Sequence, residues 1–503
     1  MTATEKNHLE VRNPATGERV GSVPLSAAPD VARAAAAGRA AQKRWGALRF
    51  ADRARILSRF HQSILGPAHD RILDTLQSES GKSRRDALVE LVTVAGTLSY
   101  YLAHGRRALA PESRKAPVPG LTRVDVLHRP HGLVGIISPW NYPFLLGIAD
   151  ALPALLAGNA VLSKPSELTP LSAELGRELL IAAGLDPDLF LLVHGPGAEL
   201  GPALIEQVDY VGFTGSTATG RQVALGAARR LIPFSLELGG KNPMIVTRGA
   251  KLDDVVTGIV SGSFSNSGQT CISIERVYVE RPMLDPLKAA LRQRLATFRV
   301  EWSRSFDADM GSLIGEQHAR KVEAHVTGAV ERGAKVVCGG RRRTDLGPAF
   351  FEPTVLENVP MEAPVAREET FGPVISLYPF DRIDEAVAAA NDSEYGLNAS
   401  VWSGRRPTSR GIARRLEAGS VGVNATLLVY HSFDAPMGGM KQSGLGRRHG
   451  PGGILRYTEA QTIVESSTVL GGYESLWERT SSEGFASLLR GVFRWRRHVP
   501  GAR

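Results

Sequence analysis

Residues 133–164 read LVGIISPWNYPFLLGIADALPALLAGNAVLSK, and this stretch decides the fold. Its length and apolarity first suggest a membrane span. Pro139, Asn141, Pro143, Asp150, Pro153 and Asn159 interrupt it, and a bilayer-crossing helix would not carry that set. A buried strand–loop–helix–strand unit accommodates all six. Leu133–Ser138 then reads as one short strand and Ala160–Ser163 as the next.

Moving toward the C-terminus, the rhythm continues. Leu189–Val193 and Tyr210–Thr214 are further apolar runs with helical segments between them. Thr169-Pro170 suits a helix start, a capping side chain followed by proline at the first helical position, and Gly184 suits its stop. Strands alternating with helices imply βαβ units and a parallel sheet. A second such region runs from Ser235 to about Lys441, with strands at Pro243–Val246 and Val277–Glu280 and helices near 312–332 and 383–391. Gly239-Gly240 marks a boundary between the two regions.

Moving toward the N-terminus, residues 26–105 read as successive amphipathic helices, with Ile56, Leu57, Phe60 and Ile64 in one stripe. Pro117, Pro119 and Gly120 break that pattern. Thr122–His128 alternates as a half-buried strand with Val124 and Val126 on one face, and Ala460–Glu465 reads as one more strand.

A chain of 503 residues is too long for one ordinary core. No 20–50-residue period recurs, which excludes a solenoid or propeller. The net charge of +9 is spread out, and no basic run with interleaved aromatics points to nucleic acid. Only Cys271 and Cys338 are present, which excludes a disulfide framework and points to a reducing compartment, the cytoplasm. The first twenty residues contain no apolar segment of a secretory signal.

Chemistry gathers in a few loops. Cys271 lies in FSNSGQTCIS behind a Gly-Gln-Thr turn; a lone cysteine there is more often a buried structural thiol, the reading that suits Cys338. Glu237, between Leu236 and Leu238 at a strand end, reads either as an edge carboxylate facing solvent or as a buried one raised toward general-base range. Asn141, in SPWNYPF, follows a strand between two prolines, where a turn former and an oxyanion donor are both consistent. FTGSTATG at 213–220 runs strand, glycine turn and helix start, an order that presents backbone N–H groups to phosphate, although it is neither G-x-G-x-x-G nor a Walker motif. LSKPSE at 162–167 puts Lys164 and Glu167 at another strand end, suited to ribose hydroxyls or merely to the surface. No His/Cys/Asp/Glu spacing suggests a metal site.

Taken together in this order, the motifs resemble the aldehyde dehydrogenase superfamily, from about Val11 to Glu465. EETFGPV at 368–374, GLNASVW at 396–402 and PMGGMKQSG at 436–444 extend the match. The resemblance implies an α/β fold: a Rossmann-like cofactor domain (1–111 and 131–239), an α/β catalytic domain (240–441), and a small β oligomerisation element (112–130 and 458–468). It implies Cys271 as nucleophile, Glu237 as general base, and the Asn141 side chain with the Cys271 backbone N–H as oxyanion hole. It implies NAD or NADP as cofactor. Lys164 and Glu167 would hold the adenine ribose, Gly215 and Ser216 the pyrophosphate and Glu369 the nicotinamide ribose. Phe371, with Trp140 and Leu238, would complete the cofactor contacts. A homodimer or homotetramer is expected. Acyl transfer to coenzyme A is the nearest alternative chemistry, and relatives that perform it tend to lack the base that Glu237 supplies. A catalytically silent relative is the other.

Two further expectations concern substrate and tail. GKNPMIV at 240–246, CISIER at 271–276 and SGLGRRHG at 443–450 look most like one branch of succinate-semialdehyde dehydrogenases. Better-understood members clamp the substrate carboxylate with two arginines, and the matching positions here hold Ala149 and Ser265. Phe144, Leu145 and Leu146 beside the mouth favour an apolar aldehyde instead. In the tail 469–503, Phe485, Leu488, Leu489, Val492 and Phe493 share one helix face, followed by Arg494, Trp495, Arg496 and Arg497. That pattern suits packing on a neighbouring subunit, the reading preferred here, or an interfacial membrane helix.

Overall fold

The computed structural model describes residues 7–116 and 122–466; beyond these it describes only 478, 483, 484, 486–488, 490, 491 and 494. Contacts divide the chain into two compact units, 1–108 with 130–457, and 109–129 with 458–503. The larger unit holds two large sheets and two small two-stranded ones among the described residues.

In the first sheet, β1 (Leu133–Ile137), β2 (Ala160–Lys164), β3 (Phe190–Leu192), β4 (Tyr210–Thr214) and β5 (Phe234–Glu237) run parallel in the order β3-β2-β1-β4-β5. Every residue of β1 and β2 is buried, as expected of continuous apolar strands covered on both faces. The strand order reverses between β1 and β4, and ligands of open α/β sheets bind in the crevice at the C-terminal ends of such a pair. Asn141 follows β1 and Gly215 follows β4.

The second sheet is built from β6 (Asn242–Val246), β7 (Ile274–Glu280), β8 (Lys335–Cys338), β9 (Thr354–Glu357), β10 (Val374–Phe380), β11 (Asn398–Trp402) and β12 (Ser420–Val423). Its order is β8-β9-β10-β7-β6-β11-β12, with only β8 antiparallel. The chain leaves one sheet at Glu237 and enters the other at Asn242, across Gly239-Gly240. Residues 442–457, unassigned from sequence, return to the first sheet, where β13 (Gly444–Leu445) pairs antiparallel with β5.

Four helices precede β1: α1 (Ala28–Ala47), α2 (Phe50–Leu65), α3 (His69–Ser80) and α4 (Arg84–Ala108). Leu57, Phe60 and Ile64 of α2 are fully buried, whereas Ile56 is only half-buried. Ahead of α1 lies a hairpin that hydrophobic periodicity did not reveal, His8–Arg12 paired with Arg19–Pro24. Its turn is set by Asn13, whose side-chain oxygen accepts from Ala15 N at 2.8 Å.

The expected start of α5 (Leu171–Ala182) needs correction. Thr169 does not cap it; its hydroxyl donates to Trp140 O at 3.4 Å, and Pro170 occupies the cap position. The free amides of Leu171 and Ser172 instead donate to the Glu79 carboxylate on α3, at 2.7 and 3.0 Å. A buried helix end has no water to satisfy it, so a carboxyl group brought from a neighbouring helix accepts its amides instead.

In the smaller unit, Thr458–Ser466, Thr122–Pro130 and Glu112–Arg114 form a three-stranded sheet. The break expected at Pro117, Pro119 and Gly120 lies outside the described residues. So does most of the expected tail stripe, of which only Leu488 is described, and it is exposed.

Candidate active site

Two loops, one after β1 and one before β7, are stitched together residue by residue. The main-chain carbonyl of Asn141 accepts from Asn266 Nδ2 at 3.0 Å, and the Asn141 side-chain amide donates to Gln269 O at 2.9 Å. The hydroxyls of Tyr142 and Thr270 lie 2.9 Å apart, in hydrogen-bond contact. Asn266, Ser267 and Gly268 all take positive φ, which turns the chain sharply before Cys271. A side chain at Gly268 would sit 2.2 Å from Gly372 O, so only glycine fits there.

The peptides around Cys271 are held from the second sheet. Asn242 Nδ2 donates to Cys271 O at 2.8 Å, and Asn398 Nδ2 donates to Ile272 O at 3.1 Å. A Cβ on Gly240 would lie 2.8 Å from the same Cys271 carbonyl. Burial pushes the Cys271 thiol up to about 12, with Glu369 and Glu237 adding to the rise and Arg448 opposing it.

Glu237 ends β5 and is buried; burial raises its carboxyl above the usual range, and the Arg448 and Arg456 cations oppose that rise. Cys271 and Glu237 line two cavities at once, sharing Leu146, Thr214 and Leu238 as the wall between them. One cavity, about 640 Å³, is strongly apolar, walled by Val89, Leu145, Ile272, Leu397, Leu427 and Met437. The other, about 730 Å³, passes Trp140, Asn141, Gly215, Ser216, His318 and Phe371 to Glu369 and Lys321.

This second groove suits a dinucleotide. Ser216 lines the groove and caps the helix α6 (Thr217–Arg230), which puts the helix's positive dipole end beside it, as suits a pyrophosphate. Glu369 lies so close to the backbone that a Cβ on Gly239 would meet its carboxylate at 2.5 Å; Gly240 N donates to it at 2.9 Å. Burial raises Glu369 to about 7. Trp140 meets Phe371 edge-on at 5.4 Å and His318 at 5.5 Å. His318 Nε2 lies 2.7 Å from Phe371 O, bracing a residue whose φ is +56°. Lys164 and Glu167 pair with each other at 3.0 Å at the end of β2 and do not line this groove.

The sequence reading placed Phe144 beside the mouth; it is instead fully buried against Gly176 of α5, and only Leu145 and Leu146 face the apolar cavity. The sequence reading also missed His318, Lys321, Tyr430 and Arg448, which arrive from distant segments. For Arg448 a signal existed, since it lies in the quoted run SGLGRRHG, but no spacing rule connects that run with Glu237.

The model of the aldehyde dehydrogenase family matches residues 1–463. A Mycolicibacterium smegmatis protein named "Putative succinate-semialdehyde dehydrogenase", of NADP(+) type, is 48% identical over 470 residues, 92% of this chain and 91% of that protein. Among solved structures, the succinate-semialdehyde dehydrogenase from Burkholderia pseudomallei is 35% identical with a TM-score of 0.88, over 93% of this chain and 96% of that one. A Mycobacterium tuberculosis aldehyde dehydrogenase complexed with NAD+ is 33% identical with a TM-score of 0.87, over 92% of this chain and 95% of that one.

Proposed function

This chain belongs to the aldehyde dehydrogenase family, and from that premise we propose that it oxidises an aldehyde to a carboxylic acid with NAD or NADP through a thioester on Cys271. The observation that carries the reading is the position of Cys271 and Glu237 on the wall shared by an apolar cavity and a groove that runs past Asn141, Gly215 and Ser216 to Glu369.

The Cys271 sulfur adds to the aldehyde carbon. The second Asn141 amide hydrogen, left over from the bond to Gln269 O, and the Cys271 backbone N–H stabilise the oxyanion. A half-buried thiol near the Glu369 and Glu237 carboxylates is a poor nucleophile, so its proton must leave before attack, and Glu237 is the acceptor within the same wall. When bound, the oxidised nicotinamide would accept the hydride that leaves the former aldehyde carbon as the oxyanion collapses to the thioester, and its positive charge would offset the thiolate. Glu237 passes the thiol proton to solvent and then takes one from water; hydroxide adds to the thioester carbon, and the Cys271 sulfur departs as the acid forms. Glu369 would hold the nicotinamide ribose, Trp140, Leu238 and Phe371 would shape the ring site, and Gly215 and Ser216 would meet the pyrophosphate. Lys164 and Glu167 would meet the adenine ribose.

Two substrate classes have support. The names of similar proteins support succinate semialdehyde. The apolar walls and the absence of both clamp arginines, at Ala149 and Ser265, support an uncharged aliphatic or aromatic aldehyde, because an uncompensated carboxylate is costly to desolvate. Formation of NADH or NADPH, followed at 340 nm with aldehyde and cofactor but without coenzyme A, tests the reaction; dependence on coenzyme A would favour acyl transfer.

We also assign 1–111 and 131–239 to cofactor binding, 240–441 to catalysis, and 112–130 with 458–468 to assembly of a homodimer or homotetramer. Cytoplasmic residence rests on the two unpaired cysteines. Among the described residues no helix is long and apolar enough to cross a membrane. The tail 469–503 is assigned to packing on a neighbouring subunit rather than to a lipid surface.

A further inference from the structure

A buried arginine faces the carboxylate of Glu237. Arg448 Nε lies 3.6 Å from Glu237 Oε1, and among the described residues neither atom has a hydrogen-bond partner. The rest of the guanidinium is fixed: Nη1 donates to Tyr430 Oη at 2.8 Å, and Nη2 donates to Thr214 Oγ1 at 3.2 Å and Asp150 Oδ2 at 3.3 Å. Asp150 is shared, since Arg456 Nη2 donates to its other oxygen at 3.0 Å. The guanidinium is thus tied down through both terminal nitrogens and lines the cavity that also holds Cys271.

An arginine with one nitrogen left over, next to a carboxylate oxygen left over, is an unusual pair of orphans inside a protein. At 3.6 Å the two form no close hydrogen bond, so Glu237 is not locked to the arginine as in a bidentate ion pair. It does experience a full positive charge at short range in a setting that water screens poorly. The groups facing Glu237 are Arg448 and Arg456, which favour its ionised form together with the more distant Arg447, and Asp150, which opposes it. Tyr210 and Cys271 are its other titratable neighbours.

We propose that Arg448 is a positioning residue for Glu237: anchored by Asp150, Tyr430 and Thr214, it keeps the buried carboxylate ionised and turned toward the acyl cavity without engaging it. This rests on the reading of Glu237 as the base of thioester hydrolysis. The same anchoring makes Arg448 a poor clamp for a substrate carboxylate, because its charge is already balanced by Asp150 and Glu237.

The test uses the full-length enzyme with hexanal and cofactor. Decay of the acyl adduct is followed by rapid quench and mass spectrometry across pH. Loss of ionised Glu237 produces an acid limb in this rate. Arg448→Met should move the limb to higher pH by about one pH unit or more, making decay on that limb about tenfold slower. Arg448→Lys should return it at least halfway. Asp150→Asn, which removes an opposing anion and keeps the arginine, should move the limb to lower pH. A role in packing alone would slow both variants without moving their limbs in opposite directions. An unmoved limb in folded Arg448→Met, or movement in the same direction for both variants, overturns the proposal. If Arg448→Met does not fold, Asp150→Asn decides: an unmoved or raised limb overturns it. An acid limb that persists in Glu237→Gln removes both the base assignment and this proposal, whereas a limb that Glu237→Gln abolishes and folded Arg448→Met leaves unmoved removes this proposal alone.

Discussion

Lys82 donates from its ammonium to the main-chain oxygen of Asn141 at 2.8 Å while paired, in the interior, with Glu90 at 2.6 Å. Both side chains are buried, and Glu90 also accepts from Leu145 N at 2.9 Å. One ion pair therefore ties down the loop at Asn141 and again at Leu145.

Removing that pair by halves should be costly. Lys82→Met leaves Glu90 charged, buried and unpaired, and should cost about 3–5 kcal/mol by urea denaturation. The double variant Lys82→Met/Glu90→Gln should recover much of that stability, because the amide oxygen still accepts from Leu145. Activity should remain low in both, since Asn141 loses its support. Wild-type turnover in the double variant would show that the ammonium does not position the loop.

Cys271→Ala should abolish turnover. Glu237→Gln should still form the thioester and then stall, so mass spectrometry after incubation with aldehyde and cofactor should show an acyl adduct on Cys271. Repeated fast turnover by Glu237→Gln would remove Glu237 as the base.

Burial raises Glu79 to about 8, although its contacts with Leu171 and Ser172 oppose that rise. The folded protein then holds a proton that the unfolded chain releases near 4.5, the ordinary value. Stability from this group is complete below that value and is lost as pH rises toward 8. Glu79→Gln removes this dependence. The melting temperature of the variant minus that of the wild type should therefore climb between pH 5 and 8, whatever its constant offset. A flat difference would mean that Glu79 is ionised in the folded state throughout.

Hexanal and benzaldehyde should match or exceed succinate semialdehyde in kcat/KM on one enzyme preparation, because the cavity walls offer a carboxylate little compensation. A strong preference for succinate semialdehyde would sink this argument and would require polar groups such as His431 and Thr93, whose side chains meet at 3.2 Å, to receive the acid.

NAD should be usable and NADP tolerated. Glu167, half-exposed beside Lys164, can accept from a 2′-hydroxyl but repels a 2′-phosphate. Glu167→Ser should raise the ratio of kcat/KM for NADP over NAD; an unchanged ratio would count against the contact.

Sequence alone determined the strands β1 to β4 and a parallel sheet, because short apolar runs separated by helices have few other ways to bury themselves; it began the second region at Ser235, whereas Phe234–Glu237 is β5 of the first sheet. It also singled out Cys271, Glu237 and Asn141 as candidates, since each stands in a local motif with a turn or a strand end beside it. What it could not reach were groups whose roles depend on distance through space. Glu79 caps a helix 92 residues away, and Arg448 meets Glu237 only because β13 doubles back against β5. Phe144 and Leu145 are adjacent apolar residues, yet one faces the interior and the other the cavity, since the turn at Leu145–Ala149 sets their directions. Periodicity and motif spacing describe what a residue does along the chain. Burial, charge balance and the wall shared by two cavities arise only when distant segments pack, and packing is what gives these side chains their chemistry.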